Sequence, residues 1–145
     1  MSYNSILLLD DDDDACSLFQ DALREVDTTA QLKTTNSCRQ LMTVLRQPGA
    51  NLPDLIVMDL NMPEQNGFEC LANIKVAQEL KQIPVIIFST SAQREAIDLV
   101  YSRGALHYIA KPNAFGGLKQ IVKWLLTMDL KKPDWPPREK FLLEF

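Results

Sequence analysis

Four short apolar segments of the sequence each end in residues that could do chemistry. These residues are three carboxylates, a hydroxyl and an ammonium, namely Asp10, Asp11, Asp59, Ser89 and Lys111. Clustered carboxylates repel one another and raise each other's pKa, a cost that a divalent cation relieves. Oxygen-only ligands favour Mg²⁺, and a carboxylate can attack phosphorus to form an aspartyl-phosphate. If the five side chains meet, they could carry out phosphoryl transfer onto an aspartate, with the lysine neutralising phosphoryl oxygens.

The segments that must position these residues alternate between two patterns. Continuous apolar runs, which are typical of strands buried on both faces, occupy residues 6–9, 55–58, 85–88 and 108–110, and a fifth strand is predicted at 30–34. Helical spacing of apolar residues follows each strand, most clearly from Ala15 to Val26. Five strand–helix repeats predict an α/β, flavodoxin-like (βα)5 doubly wound fold, with a five-stranded parallel sheet and helices on both faces. In such folds the active site lies beyond the carboxyl ends of the strands, where the five residues fall.

Composition narrows the class of protein. The chain has 145 residues and a net charge of −4, which suits one domain and gives no basic patch for nucleic acid. No apolar run approaches the roughly 20 residues that span a bilayer, and no basic segment opens the chain, so we expect a cytoplasmic protein. Cys16, Cys38 and Cys70 form no C-x-x-C pair, and we expect reduced, structural thiols.

Four motifs together resemble the receiver domains of two-component signalling, the fold of the chemotaxis response regulator. They are I-L-L-L-D-D at 6–11, L-I-V-M-D-L-N-M-P-E-Q-N-G at 55–67, P-V-I-I-F-S-T at 84–90 and Y-I-A-K-P at 108–112. Their order, spacing and positions at strand ends make the set specific. The resemblance implies a receiver domain over residues 1–128 and a tail over 129–145, with no output domain.

The resemblance assigns roles to the acidic residues. Asp59 matches the phosphoacceptor, and Asp10 and Asp11 match the acidic pair that binds Mg²⁺ together with Asp59. The backbone carbonyl of Asn61 matches the remaining protein ligand. A five-acid run alone is usually a solvated face, and whether Asp12 shares the metal is left open.

The resemblance also assigns a phosphoryl-binding group and a switch. Lys111 matches the lysine that binds the phosphoryl group, and its bond to Pro112 is expected to be cis. Ser89 matches the hydroxyl that moves toward that group, and Tyr108 matches the aromatic that then turns inward. Ser91 and the Asn61 side chain lie where the family tunes the rate of dephosphorylation.

The implied function is a single-domain response regulator of a phosphorelay. It would accept a phosphoryl group from a sensor histidine kinase or phosphotransfer protein, and some single-domain relatives work with phytochrome-type kinases. It would signal to a downstream protein through a conformational switch, catalysing only its own phosphorylation and dephosphorylation, without nucleic-acid or membrane partners. A homodimer through the fourth helix, fifth strand and fifth helix is left open.

Three other functions fit the sequence less well. A haloacid-dehalogenase-type phosphohydrolase would carry its nucleophile in an Asp-x-Asp motif after the first strand, whereas the acceptor motif here is Asp59-Leu60-Asn61 after the third. A pseudo-receiver would have lost the acceptor, an acid or the lysine, and all are present. A receiver that binds a flavin or a nucleotide is disfavoured, because this sequence shows no Gly-rich phosphate loop.

Three further features lie outside these motifs. His107, the only histidine, is expected to be structural, because no Cys or second His completes a transition-metal site. Trp124 either packs under the tail or belongs to a partner surface. The tail itself either covers an edge of the domain or docks on a partner.

Overall fold

The structure, a computed structural model, describes residues 5–49, 51–62, 67–90, 93–128 and 135–145. Strands and helices alternate five times along the chain, as the sequence predicts. The elements are β1 (Ser5–Leu9), α1 (Asp13–Val26), β2 (Gln31–Thr35), α2 (Cys38–Leu45), β3 (Leu55–Met58), α3 (Gly67–Val76), β4 (Val85–Ser89), α4 (Arg94–Ser102), β5 (His107–Ala110) and α5 (Phe115–Thr127), followed by a 3-10 turn (Arg138–Lys140) and β6 (Leu142–Leu143).

All strands join one parallel sheet in the order β2-β1-β3-β4-β5-β6. The first five are the predicted strands, and the tail adds a short sixth at the edge. The order reverses between β1 and β3, which opens a crevice beyond the carboxyl ends of these two strands. The α/β, flavodoxin-like interpretation is confirmed.

Apolar layers cover both faces of the sheet, which explains why the strands lack polar alternation. Leu7 and Leu9 of β1 pack on one side with α2, α3 and α4. Ile6 and Leu8, which point the opposite way, pack on the other side with α1 and α5. Every residue of β3 is buried. Among the described helices, none has the length and apolar character needed to cross a bilayer.

Within the described part of the tail, residues 141–143 lie along the edge of β5. Tyr108 and Ile109 pair with Leu142 and Leu143, and the Tyr108 N–H donates to the Phe141 carbonyl at 3.1 Å. The Phe141 ring is fully buried. Of the two interpretations of the tail, the structure therefore shows that it covers an edge of the domain.

Aromatic contacts fix the end of the tail. The rings of Trp124 and Phe145 meet at 5.7 Å between centroids, which confirms that Trp124 packs under the tail. His107 lies between Trp124 and Phe141, and its Nδ1 is 3.1 Å from the Phe141 carbonyl oxygen. Burial lowers the pKa of His107, although this hydrogen bond opposes the shift. The histidine is structural, as expected.

The expectation of three reduced thiols is wrong for two of them. Cys38 and Cys70 form a disulfide between α2 and α3, with their Cα atoms 5.7 Å apart. Cys16 is free and buried. The two paired cysteines are 32 positions apart, and only the packing of α2 beside α3 brings them together.

Candidate functional site

The acidic residues after β1 and β3 meet because these strands are neighbours. Leu9 pairs with Met58, so the next residues, Asp10 and Asp59, leave the sheet side by side. The Asp59 N–H donates to the Leu9 carbonyl at 2.9 Å and extends the pairing by one residue. Carboxylate oxygens of Asp10, Asp11 and Asp59 all lie within 4.8 Å of one another. Asp10 and Asp59 are buried, whereas Asp11 is exposed and forms the outer wall.

Lys111 reaches this cluster from the end of β5, two strands away from β3. Its Nζ donates to Asp10 Oδ2 at 2.7 Å and to Asp59 Oδ2 at 3.2 Å. Its backbone N–H donates to the Ser89 carbonyl at 3.0 Å, which fixes where the side chain starts. One ammonium thus bridges two buried carboxylates that lie side by side at the end of the sheet.

The pKa shifts in the crevice follow from burial and pairing. Burial raises the pKa of Asp10, and the hydrogen bond from Lys111 offsets this only in part. Burial alone would lower the pKa of Lys111, but the hydrogen bond with Asp10 and the charge of Asp59 outweigh it and raise that pKa. The lysine therefore stays protonated, and the crevice still favours added positive charge.

The run of five aspartates divides between the crevice and the first helix. Asp12 is the N-cap of α1, and its carboxylate accepts from the N–H groups of Asp14 at 2.9 Å and Ala15 at 3.4 Å. Asp13 and Asp14 occupy the first turn, where negative charge suits the helix dipole. The Asp12 carboxylate is thus engaged in capping, while Asp10 and Asp11 face the crevice.

The segment after Asp59 connects the acceptor to the hydroxyl residues. The Asn61 N–H donates to Asp59 Oδ1 at 3.1 Å. Its side-chain Nδ2 donates to Ser89 Oγ at 3.1 Å and to Thr90 Oγ1 at 3.3 Å. Sequence reasoning missed this link, because the Asn61 side chain was considered only for dephosphorylation. Asn61 and Ser89 are 28 positions apart, and no sequence pattern predicts a hydrogen bond between their side chains.

Gly67 allows α3 to approach the acceptor strand. A Cβ atom on Gly67 would lie 2.7 Å from the Asp59 carbonyl oxygen and 2.9 Å from the Leu60 Cα. Both neighbours are backbone atoms, which cannot rotate away as the end of a flexible side chain can. Only glycine fits at the start of α3, a requirement that the sequence indicated merely as a turn.

The predicted switch residues lie on neighbouring strands of the sheet. Ser89 is the last residue of β4, and Tyr108 lies on β5; both side chains are fully buried. The expected cis bond is wrong: every described peptide bond is trans, Lys111–Pro112 included. The trans form is the intrinsically favoured one even before proline. Ser91 lies outside the described residues.

Comparisons with known proteins agree with this arrangement. The family model described as the response regulator receiver domain matches residues 6–123. Response regulator Rcp1 of Synechocystis sp. is 31% identical over 134 residues, which cover 86% of this chain and 91% of that protein. The phosphorylated cyanobacterial phytochrome response regulator RcpA superposes with a TM-score of 0.78 at 36% identity, covering 86% of this chain and 91% of that one. The Mn²⁺-bound form of Rcp1 gives 0.76 at 28% identity, covering 92% and 99%.

Proposed function

This chain belongs to the response regulator receiver domain family, and from that premise we propose that it is a single-domain response regulator that is phosphorylated on Asp59. The donor is the phosphohistidine of a sensor kinase or phosphotransfer protein. The observation that carries the proposal is the bridge from Lys111 to Asp10 and Asp59 inside a crevice walled by three carboxylates. That combination supplies a nucleophile, a fixed cation and a place for a second cation.

The donor set fits Mg²⁺ or a similar hard cation. The carboxylates of Asp10, Asp11 and Asp59 and the carbonyl of Asn61 would hold it, and oxygen-only ligands are what Mg²⁺ prefers. When bound, the cation neutralises charge on the phosphoryl oxygens. The Mn²⁺-bound form of Rcp1 supports a divalent cation in a relative.

The chain's own residues then perform in-line transfer. A carboxylate oxygen of Asp59 attacks phosphorus, the P–N bond to the donor imidazole breaks, and the electron pair leaves with that imidazole, which takes up a proton. Lys111, already 3.2 Å from Asp59, is placed to bind a phosphoryl oxygen as charge develops there. Asp10 holds the ammonium in position at 2.7 Å. Hydrolysis of the acyl phosphate resets the protein.

An apolar cleft beside Lys111 offers a route for the donor. Its volume is about 210 Å³, and it lies between α1 and the start of α5, with Leu18, Pro112 and Phe115 among its walls. Leu18 is half exposed. A helix of a kinase that covered this cleft would bring its phosphohistidine next to Lys111 and Asp59. Similarity to RcpA favours a phytochrome-type kinase as this donor.

The response starts at Ser89. Its Oγ accepts from Asn61 Nδ2 in the described structure, and this hydrogen bond would be exchanged for one to a phosphoryl oxygen. Movement at the end of β4 is passed to the neighbouring β5, which carries Tyr108. The resulting population shift alters the surface offered to a downstream protein in the cytoplasm.

Acetyl phosphate with Mg²⁺ tests the proposal. We expect intact-mass analysis to show one phosphoryl adduct on the wild type and none on Asp59→Asn. Asp21→Asn, an exposed acid on α1, serves as the matched control and should be phosphorylated like the wild type. An adduct on Asp59→Asn, or its absence from the wild type, would contradict the assignment.

A further inference from the structure

We propose that Cys38 and Cys70 are a reversible dithiol–disulfide pair whose oxidation state controls phosphorylation of Asp59. Control of Asp59 rests on the proposed function, but formation of the pair does not. The pair is a modification site for disulfide oxidants, and it joins two helices, α2 and α3, that adjoin the segments carrying the acidic crevice.

Cys70 leads to the acceptor. It lies one turn into α3, whose first residue, Gly67, packs directly against the backbone of Asp59 and Leu60. The Gly67 N–H also donates to the Leu60 carbonyl at 3.4 Å. A displacement of this first turn must therefore move the backbone that carries Asp59.

Cys38 leads to the acidic pair. It is the first residue of α2, and it follows the last residue of β2, Thr35, by three positions. The Thr35 carbonyl accepts from the Asp10 N–H at 3.0 Å, and its hydroxyl donates to the Leu8 carbonyl at 3.0 Å. The disulfide thus ties the segment that holds Asp10 to the helix that contacts Asp59.

Forming the Cys38–Cys70 disulfide restricts the relative movement of α2 and α3, and with it the movement of the backbone around the crevice. Besides the disulfide, α2 and α3 contribute apolar side chains such as Leu41 and Leu71 to the same core, and apolar packing allows small sliding that a covalent bond does not. Reduction removes the bond and leaves two separate thiols in the core. The oxidised form, in which the crevice is assembled as described, should be the better phosphoacceptor.

The oxidant is a low-molecular-weight disulfide such as oxidised glutathione. The thiolate of Cys38 attacks one sulfur of the oxidant, and the other sulfur leaves as a thiolate that takes up a proton. The thiolate of Cys70 then attacks the Cys38 sulfur of the mixed disulfide and releases the second small thiol. Two electrons and two protons pass from the pair to the oxidant. Because Cys38 and Cys70 are only 4% and 0% exposed, the first step requires local opening of the first turn of α2.

Cys16 is separated from this chemistry by its environment. Burial, with added repulsion from Asp10, Asp13 and Asp12, raises the pKa of its thiol to about 11. Cys16 also lies on the face of the sheet covered by α1 and α5, whereas the pair joins α2 and α3 on the opposite face, so Cys16 cannot reach the pair. Cys16→Ser is therefore a control variant that keeps the redox pair.

Thiol counting tests the pair itself. The full chain is equilibrated in glutathione buffers of increasing oxidation, quenched in acid, unfolded, alkylated and weighed. We expect two thiols to disappear together while one remains, and Cys16→Ser to lose both of its thiols in the same step. Three alkylated thiols in the most oxidising buffer, or stable glutathione adducts in place of the internal bond, would overturn the proposal.

Phosphorylation and hydrogen exchange test the coupling. With acetyl phosphate and Mg²⁺, we expect the reduced wild type, Cys38→Ser and Cys70→Ser to react about tenfold more slowly than the oxidised wild type, well within the roughly hundredfold cost of a 1 Å misplacement. Amide exchange over residues 55–62 should be faster in the same three samples. Equal rates and equal exchange in both redox forms would overturn the coupling. If neither form is phosphorylated, the proposed function fails and control of Asp59 fails with it, while the thiol count still judges the pair.

Discussion

Replacing Lys111 by methionine tests how the crevice is held together. The ammonium contacts Asp10 at 2.7 Å and Asp59 at 3.2 Å. Methionine keeps most of the side-chain length and removes the charge. The change leaves two nearly buried carboxylates facing each other, with side chains only 2% and 7% exposed.

The size of the effect follows from that burial. Removing one partner of a buried ion pair typically costs about 3–5 kcal/mol, because the remaining charge is left uncompensated. The Lys111 side chain is 16% exposed, so some solvent already screens the pair, and we expect the lower end, about 3 kcal/mol of unfolding free energy. Lys119→Met is the matched control. Its partner, Glu25, is 3.5 Å away and both side chains are well exposed, so the cost should stay below about 1 kcal/mol.

Urea unfolding with and without Mg²⁺ provides the measurement. A cation bound to the native state stabilises it by about 2.7 kcal/mol at one hundred times its dissociation constant. Added Mg²⁺ should raise the unfolding free energy of Lys111→Met more than that of the wild type, because the variant has no ammonium that competes with the cation for Asp10 and Asp59. The difference between the two proteins should therefore shrink when Mg²⁺ is added. A loss no larger than that of Lys119→Met, or a difference that Mg²⁺ leaves unchanged, would refute the reasoning.

The same pair of proteins gives a pH test. Although burial would lower it, pairing with Asp10 and Asp59 holds the pKa of Lys111 above 10.5 in the folded state. The lysine's contribution is fully present below 10.5 and is lost as the pH rises through the folded pKa. The difference in unfolding free energy between wild type and Lys111→Met should stay level from neutral pH up to 10.5. It should fall as the pH rises above 10.5 and through the folded pKa of Lys111. A decline that begins near neutral pH would show that another group is titrating.

Two further substitutions probe the supports of the crevice. Gly67→Ala should cost about 1–3 kcal/mol by pushing α3 off the Asp59 backbone, and it should slow phosphorylation by acetyl phosphate. Gly116→Ala is the control, because a Cβ there meets nothing within 4 Å, and it should leave the stability of the protein unchanged or raise it. Equal melting temperatures for Gly67→Ala and Gly116→Ala would contradict the steric argument. Phe141→Ala should cost about 3–5 kcal/mol because the ring is fully buried. Phe145→Ala, at an exposed ring, should lower the unfolding free energy far less. Similar denaturant midpoints for Phe141→Ala and Phe145→Ala would show that the tail contributes little to stability.

The sheet could be predicted from the sequence because burial on both faces leaves a plain signal. Residues 55–58 were predicted as a strand and form β3, Leu55–Met58, without a shift. The strand predicted at residues 30–34 is β2, Gln31–Thr35, displaced by one residue. This edge strand is largely exposed, so its apolar pattern is weaker.

The meeting of Asp10, Asp59 and Lys111 could also be predicted from the sequence, since parallel strands bring their carboxyl ends to one edge. The distances could not, because they depend on how far each side chain extends across the crevice. The register of the acidic run followed from the end of β1 at Leu9. The capping role of Asp12 then needed only the start of α1.

The features that sequence reasoning missed depend on tertiary contacts alone. Leu142–Leu143 is a two-residue strand, too short to show a period. The Cys38–Cys70 bond joins two helices with no spacing rule between them. The expected cis bond at Pro112 was carried over from the family, and nothing in the local sequence could test it.

The short strand β6 also determines which strand forms the edge of the sheet. A β5 edge without it would present unpaired N–H and C=O groups to any extended chain nearby, and such edges template aggregation. The pairing of Leu142 and Leu143 with β5 occupies this edge from within the same molecule. A truncation after α5 would therefore expose the edge of β5 to strand pairing with other molecules. A fusion tag is better placed after Phe145 than in place of the tail.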